Sequence, residues 1–396
     1  MDTHPVPPFH VMIKPRGPIC NLDCSYCFYL SKEKLYPGAD FHMSDETLEI
    51  FTRDYIRAQP VPEVVFSWQG GEPTLMGLEF FQRAVEVQKK YAPPGTKISN
   101  TIQTNGTLLT DEWCRFFAAN HFLVGLSLDG PASMHDAYRV DKGGKPSHGA
   151  VISGLGLLRR HGADYNILAT VHAANSEHPL EVYRFFRDEV GASFIQFIPI
   201  VERDNETGYQ EGTRVTDRSV SGTAYGSFLN AVFDEWVRRD VGRVFVQIFD
   251  VTLAGWVGER PGLCIFDPTC GRALALEHNG DLYACDHYVE PRHHLGNIRE
   301  RSLPVLVTSE QQRAFGVTKA AALPSFCQSC EVRFLCNGGC PKNRILKTPD
   351  GQDGLNYLCE GYKAFFTHTG PAMRFMAEAL RNGRAPAEVM KPFGRA

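Results

Sequence analysis

The stretch "CNLDCSYCFYL" places Cys20, Cys24 and Cys27 in a C-x3-C-x2-C array near the start of the chain. Three thiols are one short of a closed site. A structural zinc or a fully ligated four-iron cube takes four protein ligands, and disulfides use cysteines in pairs. Three thiolates can hold three irons of a cube and leave the fourth open to a small molecule, as a catalytic zinc keeps one position free. A zinc site completed by His10, or three thiols packed in a core, are the plainer alternatives.

The other cysteines are late. Of the twelve in the chain, Cys264, Cys270, Cys285, Cys327, Cys330, Cys336, Cys340 and Cys359 remain once the first array and Cys114 are set aside. Cys114, in "DEWCRFFAAN", sits in a helical pattern among apolar residues and reads as a core thiol. Eight thiolates would fully ligate two four-iron cubes with no open iron, and closed clusters carry electrons or hold structure. Two zinc-ribbon sites compete, since C-x2-C pairs are ordinary zinc ligands. A second chemical motif, "QGGEP" (69–73), has a glycine pair that lets backbone approach a ligand or simply turn after a strand.

These residues need a frame. Short β-rich runs at 9–15, 64–68, 98–104, 122–128, 166–172 and 193–199 alternate with helical patterns near 44–59, 77–91, 110–120, 147–162 and 178–190. The first helix opens on Ser44 with acids in its first turn and stops before Pro60. Six strand–helix units imply parallel strands with crossover helices. The chain available is short of the roughly 250 residues typical of an eight-unit barrel, so the expected architecture is α/β, an open partial (β/α)6 barrel. The first array, "QGGEP", "NG" (105–106) and "DG" (129–130) each follow a strand, on the carboxyl-end rim where such folds place chemistry. A helix is expected near 222–240, a small loop-rich domain organised by metal from about 260, and a terminal helix near 371–390. The expected divisions are 1–235, 236–370 and 371–396.

Composition bounds the rest. The 396 residues are 43% hydrophobic and 22% charged, as in globular domains. A net charge of −4 offers no basic surplus for a phosphate backbone, which argues against nucleic acid as a partner. The N-terminus lacks a basic start followed by an apolar run, and no segment reaches membrane-spanning length. A cytoplasmic protein without a membrane partner is expected, and in a reducing compartment clustered cysteines hold metal rather than form disulfides.

The C-x3-C-x2-C array with aromatic Tyr26 before its third cysteine resembles the signature of the radical S-adenosylmethionine (SAM) superfamily. The resemblance implies a 4Fe-4S cluster on Cys20, Cys24 and Cys27, with SAM chelating the open iron and split reductively into methionine and a 5'-deoxyadenosyl radical. It assigns SAM contacts to Tyr26, to Gly70, Gly71 and Glu72 of "QGGEP", to Ser127 and Arg139, and to Val201 past the sixth strand. The late spacing, C-x2-C-x5-C-x3-C from Cys327 to Cys340, resembles the SPASM domain of such enzymes. It implies one auxiliary 4Fe-4S cluster on Cys264, Cys270, Cys285 and Cys340 and another on Cys327, Cys330, Cys336 and Cys359, three clusters in all.

"QGGEPTLMGLEFF", "QTNGTLL", "FLVGLSLDGP", "QFIP" and "YACDHYV" together resemble the anaerobic sulfatase-maturating enzymes over nearly the whole chain. The few residues before Cys20 leave no room for the leader-binding domain common in ribosomal-peptide modifying relatives. The resemblance implies oxidation of an active-site Cys or Ser of a sulfatase polypeptide to Cα-formylglycine, by hydrogen abstraction from the β-carbon. A low-potential donor such as flavodoxin or ferredoxin would supply electrons. Asp286, directly after Cys285, matches the family's proposed base, and His287 departs from the aromatic expected beside it. Two other readings are a radical enzyme forming a thioether or carbon–carbon crosslink in another peptide, and an electron-transfer or scaffold protein. The second leaves the open iron and "QGGEP" unexplained.

Overall fold

The computed structural model describes residues 6–394; residues 1–5, where the N-terminal stretch read for a secretory signal begins, and residues 395–396 lie outside them. The six strands read from the sequence are present, differing only at their ends: β1 (His10–Lys14), β2 (Glu63–Trp68), β3 (Lys97–Thr104), β4 (Phe122–Ser127), β5 (Tyr165–Val171) and β6 (Phe194–Pro199). They pair in parallel and in chain order.

Local chemistry and packing agree in the crossover helices. In Asp45–Ala58, the Ser44 hydroxyl accepts from Thr47 N at 3.2 Å, a cap worth about 1 kcal/mol. The same helix buries Leu48, Phe51, Tyr55 and Ile56, each contributing about 2 kcal/mol, so packing outweighs the cap in seating it. Asp111–Ala119 repeats the pattern with Thr110 as its cap, while Leu78–Tyr91 and His148–His161 bury an apolar face without a side-chain cap, the last ending at Gly162 with φ +66°. The expected helix 178–190 is an α-helix only over Pro179–Arg184 and continues as a wider π turn over Phe185–Glu189.

The sheet does not stop at six strands. A two-residue strand, β7 (Phe245–Val246), extends it beyond β6. On the other side β8 (Ala273–Glu277) pairs in parallel with all of β1, from His10 opposite Ala273 to Lys14 opposite Glu277. Two antiparallel strands, β9 (Asp281–Tyr283) and β10 (His294–Asn297), complete a ten-stranded sheet. The cysteine-spaced region is thus joined to the barrel through its backbone as well as organised by its thiols. The reason is "ALALE", whose Leu274, Ala275 and Leu276 are fully buried. A run of four apolar residues carries no periodicity of its own, and the flanking cysteines drew it into a loop reading.

Residue 235, where the sequence suggested a division, lies inside the helix Gly222–Arg239. The expected terminal helix, near 371–390, instead starts earlier and ends earlier, at Cys359–Arg381, with Pro371 in its interior. Proline is at home in a first helical turn, which favoured a start at 371. Burial of Tyr362, Phe365, Phe366 and Met373 carries the helix through it. This helix lies so close to Gly222–Arg239 that a Cβ on Gly361 would sit 2.0 Å from Gly222 O. That contact fixes Cys359, at the helix start. Cys114 is fully buried in the apolar cluster beneath β1–β3, as a core thiol. Among the described residues no helix is long and apolar enough to cross a membrane.

Candidate active site and cluster-binding thiols

Cys20, Cys24 and Cys27 occupy the loop leaving β1, pressed between the loops that follow β2 and β3. A Cβ on Gly71 would lie 2.0 Å from Ile19 O, so only glycine lets the two loops meet. Gly71 N donates to Gly17 O at 2.7 Å and Glu72 N to Ile19 O at 2.8 Å, and Gly70 has φ +129°. The amide N–H groups of Gly71 and Glu72 are therefore engaged by the cysteine loop. The Glu72 carboxylate, 1% exposed, accepts from Thr74 N and Thr74 Oγ1, from Thr104 Oγ1 at 2.8 Å and from Asn105 N at 2.8 Å. It ties β2 to β3. Asn105 Nδ2 reaches Asn21 Oδ1 at 2.9 Å and the Cys20 sulfur at 3.7 Å.

On the opposite side of the loop, Asp129 gathers the residues after β4 and β5. Tyr26 Oη donates to Asp129 Oδ2 at 2.5 Å, and Arg139 grips both carboxylate oxygens, Nε at 2.8 Å and Nη2 at 3.2 Å. Thr170 N donates to Oδ1 at 2.9 Å, and His172 Nε2 stands 3.7 Å from Oδ2. Burial pushes the Asp129 carboxyl up, but Arg139 and His172 overcome it and hold the group well below the usual carboxylate range. Arg139 also lies over the Tyr26 ring at 5.4 Å and faces Cys24. Ser127, the last residue of β4, and Val201, past β6, are buried on the same rim, and neither enters the hydrogen-bond network of Asp129. The sequence reading placed the "DG" of residues 129–130 on this rim but gave Asp129 no role.

The eight late cysteines fall into two groups by mutual proximity. Cys264, Cys270, Cys285 and Cys340 face one another, and Cys327, Cys330, Cys336 and Cys359 do the same. Ionising these thiols in the absence of metal is penalised: burial first, then neighbouring sulfurs or acids, pushes Cys20, Cys264 and Cys336 up to about 12. Bound iron would remove that penalty, since it takes the sulfurs as thiolates and spreads their charge. Among the described residues no three His, Cys, Asp or Glu side chains are gathered closely enough to hold a single metal ion. The donor sets are all sulfur, one of three and two of four, and they fit one open and two closed iron–sulfur cubes.

Between the first array and the nearer late group runs a buried charged seam created by the β1–β8 pairing. Lys14, 2% exposed at the end of β1, forms an ion pair with Asp286 and lies 4.4 Å from the centroid of the Tyr29 ring. Tyr29 Oη donates to Glu277 Oε1, and Glu277 Oε2 is 3.2 Å from His278 Nδ1. Burial raises the Asp286 carboxyl, yet Lys14 and then His287 bring it below its ordinary value, so it stands ionised. The His287 ring lies tilted over Phe28 at 5.7 Å, and burial together with Lys342 lowers it to about 4, a neutral imidazole. Lys14, Tyr29 and Glu277 were missed in the sequence. Charged residues closing two apolar strands at their carboxyl ends were the available signal, but their register required β8 to be recognised as a strand.

The model of the radical SAM superfamily matches residues 15–186, and that of an iron–sulfur cluster-binding domain matches residues 264–331. The serine-type anaerobic sulfatase-maturating enzyme of Bacteroides thetaiotaomicron is 50% identical over 396 residues, covering 97% of this chain and 95% of the relative. The cysteine-type enzyme of Clostridium perfringens strain 13 is 33% identical over 384 residues, covering 95% of this chain and 100% of the relative. The solved structure of native anSMEcpe with bound AdoMet and Cp18Cys peptide superposes with a TM-score of 0.84 at 33% identity, covering 94% of this chain and 100% of that one. The fold is that of a radical SAM enzyme with a SPASM domain. Within that superfamily, the chain belongs to the anaerobic sulfatase-maturating enzymes.

Proposed function

We propose that this protein converts an active-site serine of a sulfatase polypeptide to Cα-formylglycine. The observation that carries the chemistry is the buried Lys14–Asp286 pair, standing between the loop of the first array and Cys285. The choice of serine rests on the serine-type relative that shares half of its residues. In this reading Cys20, Cys24 and Cys27 hold the open cluster, and Tyr26, Ser127, Arg139 and Val201 line the space for SAM. Gly70, Gly71 and Glu72 hold the wall behind it. Cys264, Cys270, Cys285 and Cys340 hold one closed cluster, and Cys327, Cys330, Cys336 and Cys359 the other. When bound, the open cluster and SAM supply hydrogen-atom abstraction from an unactivated carbon.

Asp286 then accepts the proton that the oxidised serine must lose. Lys14 keeps that carboxylate ionised and, held by the Tyr29 ring, aimed. Closure of this seam by β8 keeps water from the reacting carbon, and Cys285, adjacent to Asp286 in the chain, is one of the four thiols that would hold the nearer closed cluster, which would supply an electron acceptor. Electrons enter from a low-potential carrier such as flavodoxin or ferredoxin, and the reaction takes place in the cytoplasm without nucleic acid or membrane as partners. Asp286→Asn tests the assignment. SAM cleavage should persist, while formylglycine formation falls by roughly 10²–10⁴-fold. Wild-type product formation from that variant would remove Asp286 from the role.

A further inference from the structure

The thiols of Cys264, Cys270, Cys285 and Cys340 stand among cations that, among the described residues, have no carboxylate partner of their own. Lys319 is 1% exposed, and its ammonium donates to Cys264 O at 2.9 Å and Ile265 O at 2.8 Å. Arg344 donates to Gly338 O at 3.1 Å, Lys319 O at 2.7 Å and Asn337 O at 3.0 Å, so every hydrogen bond it makes goes to a neutral carbonyl. Lys342 follows Cys340 by two residues and faces Cys340 and Cys285. Arg203 donates to Lys342 O, and its Nε and Nη1 are buried without a partner. The acids whose charge reaches these thiols are Asp267 and Asp286, and Asp286 is paired with Lys14.

Carbonyl oxygens solvate a buried cation but do not neutralise it, and an uncompensated buried charge is strongly destabilising. Lys319 is buried and Arg203, Lys342 and Arg344 are partly buried, so an anion among these thiols would complete the cage. A four-iron cube on four thiolates is that anion, and it becomes more negative by one charge on reduction. Fixed cations favour the more negative state, which raises the reduction potential. The other groups lack such a cage. At the first array Arg139 is answered by Asp129, and Glu72 lies beside Cys20. At Cys327, Cys330, Cys336 and Cys359 the cations are the shared Arg344 and Lys363, which is half exposed and 3.5 Å from Glu331.

We propose that Lys319, Lys342 and Arg203, with Arg344 shared between the two late groups, are the built-in counter-charge of the cluster on Cys264, Cys270, Cys285 and Cys340, and that they raise its potential so that it receives the electron leaving the substrate. This rests on the cluster assignment above. The balance is one electron and one proton from the substrate radical, the electron reducing the oxidised four-iron cluster by one and the proton passing to the Asp286 carboxylate.

The test is a redox titration, followed by electron paramagnetic resonance, of the reconstituted protein and its Lys319→Met, Lys342→Met and Lys319→Arg variants, with iron counted in each. At about twelve irons per chain, one cluster's midpoint should fall in both methionine variants and return in Lys319→Arg, while the other two stay in place. If Lys319→Met loses iron, Lys342→Met decides. Unchanged midpoints at full iron content, or equal shifts in all three clusters, overturn the proposal. About four irons in the wild type would instead overturn the cluster assignment beneath it.

Discussion

The loop of Cys20, Cys24 and Cys27 and the group of Cys264, Cys270, Cys285 and Cys340 flank one buried seam, yet their surroundings carry opposite charge. Around the first loop, acids set the frame: Glu72 ties the β2 and β3 loops behind Cys20, and Asp129 holds Tyr26 and Arg139 beside Cys24. Around the late group, cations do so, with Lys319 and Arg344 anchored only to backbone oxygens. The strand pairing differs as well. The first loop hangs from the barrel's opening strand, and the late group is delivered to that strand by β8. One sheet therefore brings an acid-framed set of three thiols and a cation-framed set of four to the two sides of Lys14 and Asp286.

Breaking this comparison at its thiols should have the largest effect. Cys24→Ala should abolish SAM cleavage and cost about four of some twelve irons, whereas Cys336→Ala, in the remote late group, should cost iron and leave SAM cleavage measurable. Iron analysis and chromatographic detection of the cleaved nucleoside separate the two, and equal loss of cleavage would refute the division of labour. A smaller effect is expected at the acid frame. Asp129→Asn strands the Arg139 guanidinium beside Cys24 and should destabilise the fold by about 3–5 kcal/mol in a denaturant titration, with weakened SAM binding. Wild-type stability would mean that the pair does not anchor the loop.

How much of this was legible beforehand depended on whether a signal was local. The six strands, Ser44 as a cap, the first array and the Cys114 core thiol each declare themselves within a few residues. The division of the late thiols into two sets of four came from family resemblance rather than spacing. The seam was not legible: Lys14 and Glu277 are 263 positions apart and become neighbours only through the parallel register of β1 with β8. The glycine pair of "QGGEP" shows the reverse case. Its need for close approach was readable, but its neighbour is the backbone of residues 17–19, which no local pattern discloses.

The most direct test of the account is anaerobic incubation of the reduced, reconstituted protein with SAM and two peptides that differ only in carrying serine or cysteine at the sulfatase target position, read by mass spectrometry. A serine peptide lighter by one pair of hydrogen atoms, and trapped by an aldehyde reagent, is the predicted product. SAM cleavage that leaves the serine peptide unchanged, or a crosslinked peptide without an aldehyde, would contradict it.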